Sequence, residues 1–127
     1  MIDLEHVSYA YAEGEENVVR GVSLHIAPGS LTAILGRNGS GKSTLDKLMN
    51  GLYLPTEGTV TVDGMDTRDE KNTWLIRRRA GMVFQNPDNQ LVATVVRDDV
   101  AFGLENLGVP PADMPARIDR ALRDVGM

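Results

Sequence analysis

The run Gly36-Arg37-Asn38-Gly39-Ser40-Gly41-Lys42-Ser43-Thr44 gathers glycines, one lysine and adjacent hydroxyls in a short segment. It fits the spacing G-x-x-x-x-G-K-[S/T], in which each residue type has a chemical reason. Gly39 and Gly41 let the backbone turn sharply and approach phosphate oxygens with no Cβ in the way. Successive N–H groups, with those of Asn38 and Ser40, then point inward as an anion-binding nest. A helix opening near Lys42 adds its positive dipole end. Lys42 is spaced to reach the β- and γ-phosphates, and the Ser43 hydroxyl to ligate Mg²⁺, an ion that seeks oxygen and keeps most of its waters. Thr44 can bond the α-phosphate. The chemistry implied is the holding of Mg-ATP or a related triphosphate.

Such a loop works only if a strand delivers the chain to it and a helix leads away. Leu31 to Leu35 (LTAIL) is a short, mostly apolar run, as expected of a buried parallel strand. After Lys42, Leu45, Leu48 and Met49 recur at helical spacing and Gly51 supplies a stop. Upstream, Val22, Leu24 and Ile26 alternate with Ser23 and His25, the period of a half-buried strand, before the Pro28-Gly29 turn. Val60 to Val62 reads as a strand between Gly58 and Gly64. Residues 70–79 read as helix, Gly81 to Gln85 as a strand entering a loop at Asn86-Pro87, and 96–107 as helix. The last helix has Asp113 at its N-cap, Pro115 in its first turn, an apolar stripe of Ile118, Ala121, Leu122 and Val125, and Gly126 as its end. This order predicts an α/β fold with an N-terminal antiparallel portion.

Bulk properties narrow the field. The 127 residues suit one domain, and 42% apolar with 24% charged residues is the balance of a soluble globular chain. A net charge of −5 argues against broad nucleic-acid binding, which normally shows as a basic face. With no cysteine, disulfides, thiolate metal sites and cysteine nucleophiles are excluded. His6 and His25 are too few for a zinc cluster. No apolar run approaches the ~18 residues of a membrane span, and the first residues lack the pattern of a signal peptide. The expectation is a cytoplasmic chain that meets a membrane only through a partner.

The flanks of the loop carry a resemblance. Gly36 to Leu45 resembles the ATP-binding-cassette (ABC) spelling G-x-N-G-[S/A]-G-K-S-T-L, and Gly81 to Gln90 (GMVFQNPDNQ) resembles the Q-loop segment of the same superfamily. Val7 to Tyr11 resembles the strand carrying an adenine-stacking aromatic, and Gly21 to Leu24 the strand before the phosphate loop. Asn86 to Val95, Asp99 to Gly103 and Glu105 to Gly108 are similar to the ATP-binding (A) component of energy-coupling factor transporters, including the cobalt-transporter subunits. The resemblance implies a P-loop NTPase fold with a RecA-like core. It implies that Tyr11 stacks on adenine, where a half-buried strand tyrosine is the alternative, and that Gln85 contacts Mg²⁺ or the attacking water and senses the transport partner, where a polar strand-end residue is the alternative. Lys42 and Gln85 would then be the catalytic residues, and Ser43 and Gln85 the metal contacts. Val18 and Val19 read better as core, Trp74 as packing, Arg77 to Arg79 as a solvated helix face, and Asp46 as lying off the apolar stripe.

The same resemblance implies elements that this sequence does not contain. There is no L-S-G-G-Q signature, and no four-residue apolar run followed by the aspartate and catalytic glutamate (Walker B). The switch histidine follows those elements in the family, so neither His6 nor His25 is it. Residues 1–127 are therefore expected to be a partial nucleotide-binding domain, ending within the helical subdomain, of a protein about twice as long. Such a chain should bind Mg-ATP weakly without turning it over, and should be marginally stable with exposed sheet edges. The implied whole is an ATPase at the cytoplasmic face of a prokaryotic membrane. It would pair with a second ATP-binding subunit and a transmembrane subunit to power uptake of a metal ion or vitamin. A nucleotide-binding module without transport, or an inactive truncated product, is the alternative. A P-loop kinase or GTPase would need a guanine-reading N-K-x-D or an arginine-rich lid, and neither is present.

Overall fold

The computed structural model describes all 127 residues, as two compact units spanning residues 1–82 and 83–127. The first unit is built on a four-stranded antiparallel sheet in the order β2-β1-β3-β4. Its strands are β1 (Ile2–Tyr9), β2 (Val19–Ile26), β3 (Glu57–Val62) and β4 (Met65–Asp66). Ile2 pairs with Ile26 on one side of β1 and with Val62 on the other, so β1 is central and bonded on both edges. The alternation of Val22, Leu24 and Ile26 does what it predicts: these three are half-buried while Ser23 and His25 face solvent.

Helix α1 (Lys42–Met49) covers one sheet face. Leu45 and Leu48 enter a cluster with Leu4, Val7, Val19 and Val60, and Leu48, Val7 and Val60 are fully enclosed. Burial of this kind contributes about 1.5–3 kcal/mol per large aliphatic side chain. The helix ends as its sequence implies. Gly51 takes a φ of 69°, and the Leu52 amide donates back to the Lys47 carbonyl at 2.9 Å, closing the last turn. Asp46 lies on the exposed side.

Midway along β1 the register shifts between Glu5 and Ser8, and His6 adopts a φ of 48°. Gly58 of β3 sits opposite with a φ of 78°, and a Cβ there would collide with the Glu5 and His6 carbonyls. The bulge and the glycine are two halves of one feature.

The 70–79 helix forms as a 3₁₀ turn, Glu70–Asn72, leading into α2 (Thr73–Arg79). Asp69 opens it by accepting the Lys71 amide at 3.1 Å. Ile76 is the one buried residue of α2. Trp74, expected to pack, is instead half-exposed with the Arg78 guanidinium 5.4 Å from its ring centroid. Seven residues turn only one stripe inward, and Ile76 occupies it. Arg79 pairs with Asp63 at 2.6 Å.

Two expected strands are absent. Leu31 to Leu35 is irregular, with Leu31 and Leu35 at 101% and 90% exposure and only Ile34 touching the core. Gly81 to Gln85 is likewise irregular and largely exposed. A parallel strand exists through hydrogen bonds to neighbours on its edges, and the sheet offers neither run a partner. The apolar spelling is that of a buried strand; the burial is not provided within these residues.

The second unit holds a 3₁₀ turn at Pro87–Gln90, α3 (Val96–Asn106) and α4 (Met114–Asp124). Arg97 of α3 pairs with Asp119 of α4 at 2.7 Å, and Val109 and Ile118 are its buried apolar residues. Asp113 holds the N-cap position of α4, but its side chain makes no capping bond, because its backbone is already helical (φ −92°, ψ −15°). Of the expected α4 stripe, Ile118 is buried, Leu122 half-buried, and Ala121 and Val125 exposed. Asp99, in the opening turns of α3, accepts the Val92 and Ala93 amides at 2.7 and 3.0 Å. Those two bonds hold its carboxyl below the ordinary carboxylate range.

Candidate functional site

The glycine-rich loop occupies residues 36–41 and turns directly into α1. Gly39 and Gly41 take φ values of 80° and 85°. Gly41 has a second constraint, since a Cβ there would lie 2.9 Å from the Val18 carbonyl oxygen. That contact gives Val18 a structural role beside the loop, while Val19 is core, at 5% exposure.

The start of α1 is prepared for an anion. Its N-cap is Gly41, which has no side chain to cap with, and its first turn carries no acidic residue. The first amides of a helix have no partner within it. Here neither a capping side chain nor a carboxylate claims them, so their partial positive charge is left for a ligand. Lys42 leans over the same loop, donating through Nζ to the Gly36 and Arg37 carbonyls, both at 2.8 Å. These contacts hold the ammonium beside the turn, at neutral carbonyls that an anion can replace. Ser43 is exposed and Thr44 is 4% exposed.

An apolar cleft of about 200 Å³ runs from this loop between β2 and the 34–35 segment. Val22, Ile34, Leu35 and Leu45 are among its apolar lining, and Arg20, Ser40 and Lys42 its polar lining.

Tyr11 lies two residues past β1, is 55% exposed, and joins an aromatic group with Tyr9 and Tyr53. Tyr9 and Tyr53 stack at 5.1 Å, and Tyr11 meets both edge-on. Burial, and then the neighbouring Tyr53 and Tyr11, push the Tyr9 phenol above its ordinary value. The Tyr11 hydroxyl is 2.6 Å from Thr44 Oγ1. The structure thus brings Tyr11, Gly39, Ser40, Gly41, Lys42, Ser43 and Thr44 together in the first unit. Asn38 lies in the same loop, exposed. Gln85 belongs to the second unit, exposed just before the Pro87–Gln90 turn. Beside it, Gln90 Oε1 accepts the Phe84 amide at 3.2 Å.

Comparison with known proteins agrees with this geometry. Residues 19–127 match the family model of the ABC transporter. The chain belongs to the ABC transporter family. It is 58% identical over 130 residues to the energy-coupling factor transporter ATP-binding protein EcfA1 of Clostridium novyi, covering all of this chain and 46% of that protein. It is 52% identical to EcfA1 of Listeria monocytogenes, over 99% of this chain and 45% of that protein. The chain thus spans about half the length of the curated relatives it matches. Among solved structures, CbiO1 from Clostridium perfringens, part of the ABC transporter complex CbiONQ, superposes with a TM-score of 0.86 at 37% identity. It covers 99% of this chain and 50% of its own. The ATP-binding cassette MJ0796, a dimer in a post-hydrolysis state with ADP and Pi, superposes with a TM-score of 0.76 at 29% identity, over 97% and 56%. The fold is that of the ABC ATPase cassette, with the P-loop NTPase architecture expected.

Two features were not anticipated from sequence. One is the Tyr11–Thr44 bond, whose ends are 33 residues apart. The other is the Asp99 bond to the Val92 and Ala93 amides. Only an aspartate in the first turns of a helix, close behind an irregular segment, hinted at the second.

Proposed function

We propose that this chain is the ATP-holding part of an energy-coupling factor transporter subunit, one that takes Mg-ATP at the 36–44 loop. The observation that carries the reading is the uncapped, acid-free start of α1, joined to a glycine turn too close to Val18 for a Cβ and overhung by Lys42. The first-turn amides would cradle the phosphates, and Lys42 would exchange its two carbonyl contacts for phosphate oxygens. Asn38, Gly39, Ser40 and Gly41 would supply the turning backbone, and Tyr11 a ring face for the base. Of the residues here, exposed Ser43 fits a hard cation by its oxygen, and Gln85 is assigned a Mg²⁺ or water contact through the family resemblance alone. When bound, Mg²⁺ neutralises charge on the terminal phosphates.

Lys42 and Ser43 would hold and orient a triphosphate. Cleaving it also calls for a group that positions water and for a signature loop from a second subunit. Neither the signature nor the acidic pair occurs in these residues. On that basis residues 1–127 bind without turnover. The whole subunit would hydrolyse ATP at the membrane's cytoplasmic face, paired with a second ATP-binding subunit and a transmembrane component, to drive uptake of a metal ion such as cobalt or of a vitamin. Support for pairing comes from the dimeric MJ0796 cassette, and for a membrane partner from the complex containing CbiO1. No helix of the chain is long and apolar enough to cross a membrane.

The test is a calorimetric titration with Mg-ATP, alongside Lys42→Ala and a phosphate-release assay. Binding lost in Lys42→Ala with no release above background is the expected result. Turnover that vanishes in Lys42→Ala would overturn the binding-only assignment. No binding by the unaltered chain would remove the nucleotide reading.

A further inference from the structure

Tyr11 and the glycine-rich loop are joined by a hydrogen bond that neither motif requires. The Tyr11 hydroxyl lies 2.6 Å from Thr44 Oγ1, and it is the only protein group bonded to that oxygen. Thr44 is in the first turn of α1 and 4% exposed, so little water reaches its hydroxyl. The Tyr11 ring is held edge-on against both Tyr9, at 5.4 Å, and Tyr53, at 6.0 Å. Its hydroxyl is therefore aimed by packing as well as by the bond.

The proton arithmetic gives this bond a direction. A threonine hydroxyl has one proton and two lone pairs, and so has a phenol one proton to give. Either oxygen can donate while no anion is near. A phosphate oxygen only accepts. To bond it, Thr44 must spend its proton there, and the Tyr11 contact survives only with Tyr11 as donor. Hydrogen bonds in such a chain polarise one another, so the donation from Tyr11 strengthens that from Thr44.

We propose that Tyr11 is a positioning residue for phosphate: its hydroxyl donates to Thr44 and turns the Thr44 proton toward the bound anion. Base platform and phosphate cradle are then one hydrogen-bonded unit. This rests on the nucleotide reading above and adds to it a role for the phenol oxygen that stacking does not need.

The experiment uses Tyr11→Phe, which keeps the ring and its edge contacts, and two probes. One is Mg-ATP; the other is Mg-tripolyphosphate, which has no base to stack. The expected result is a loss of about three- to tenfold in affinity, the worth of one hydrogen bond, by the same factor for both probes. The loss should persist in a Thr44→Ser background, which keeps a hydroxyl, and disappear in Thr44→Val. Thermal melts of each variant report folding separately. If Tyr11→Phe weakens ATP alone, or neither probe, the relay is wrong while the nucleotide reading stands. An equal loss in the Thr44→Val background would also overturn it. If the unaltered chain binds neither probe, the nucleotide reading fails first and takes the relay with it.

Discussion

Gly41 shows how little freedom a single position in the glycine-rich loop has. Its φ of 85° is left-handed, and the Val18 carbonyl occupies the space a side chain would need. Gly41→Ala should cost about 1–2 kcal/mol from backbone handedness alone, with the steric contact added. Because the strain falls on the turn, phosphate affinity should drop far more than the melting temperature. A matched pair of Mg-ATP titrations and thermal melts checks this; a variant that binds normally would show the turn to be more forgiving than its geometry. Lys42 is less constrained. It already bonds two carbonyls, so Lys42→Met should leave the fold unchanged in a melt while weakening Mg-ATP by at least about tenfold, the scale of one charge-assisted contact.

At the next scale, α1 links the site to the core. Leu48 is fully enclosed against β1 and β3 residues, on the opposite side of the helix from the exposed Asp46. Leu48→Ala should destabilise the first unit by about 2–5 kcal/mol through lost burial and the cavity left behind. Asp46→Ala should be near neutral. Urea unfolding of both variants measures the contrast. In the second unit the corresponding device is electrostatic. The Asp99 carboxylate holds the Val92 and Ala93 amides, and those bonds depress its pKa. A depressed carboxylate stabilises the native state above its unfolded pKa and loses that contribution as pH falls through the folded value. The 92–99 connection should therefore stay closed at neutral pH and open in acid, below the ordinary carboxylate range. Amide resonances of Val92 and Ala93 should move together in that window and stay fixed in Asp99→Asn. Resonances indifferent to acid in the unaltered chain would contradict it.

For the whole molecule, the significant fact is exposed apolar chain. Leu31, Leu35 and Val83 are each more than four-fifths exposed, in segments spelled as strands but bonded to none. Unpaired backbone beside apolar side chains is a template for self-association. The purified chain should therefore associate with rising concentration, and Leu31→Lys with Leu35→Lys should reduce that in light scattering. A monomeric chain with a sharp, concentration-independent melt would show that these segments are better protected than their exposure indicates.

Legibility followed the range of the interactions. The turn of the glycine-rich loop, α1 and its glycine stop, the alternation of β2 and the extents of α3 and α4 depend on residues within a turn or two of each other. Spacing alone carried them, because a positive φ, a helical stripe and a two-residue period are local properties. Leu31 to Leu35 has the composition of a buried strand, but a strand is completed by its neighbours' hydrogen bonds, and composition cannot say whether neighbours are at hand. The same holds for Trp74, read as a packing residue but half-exposed, and for Asp113, whose identity suggests a cap but whose backbone angles do not allow one. The Tyr11–Thr44 bond, the bulge opposite Gly58 and the contact of Val18 with Gly41 join residues distant in sequence. Only the folded chain brings them within bonding distance, since the register of β1 between its two neighbours decides which distant side chains meet.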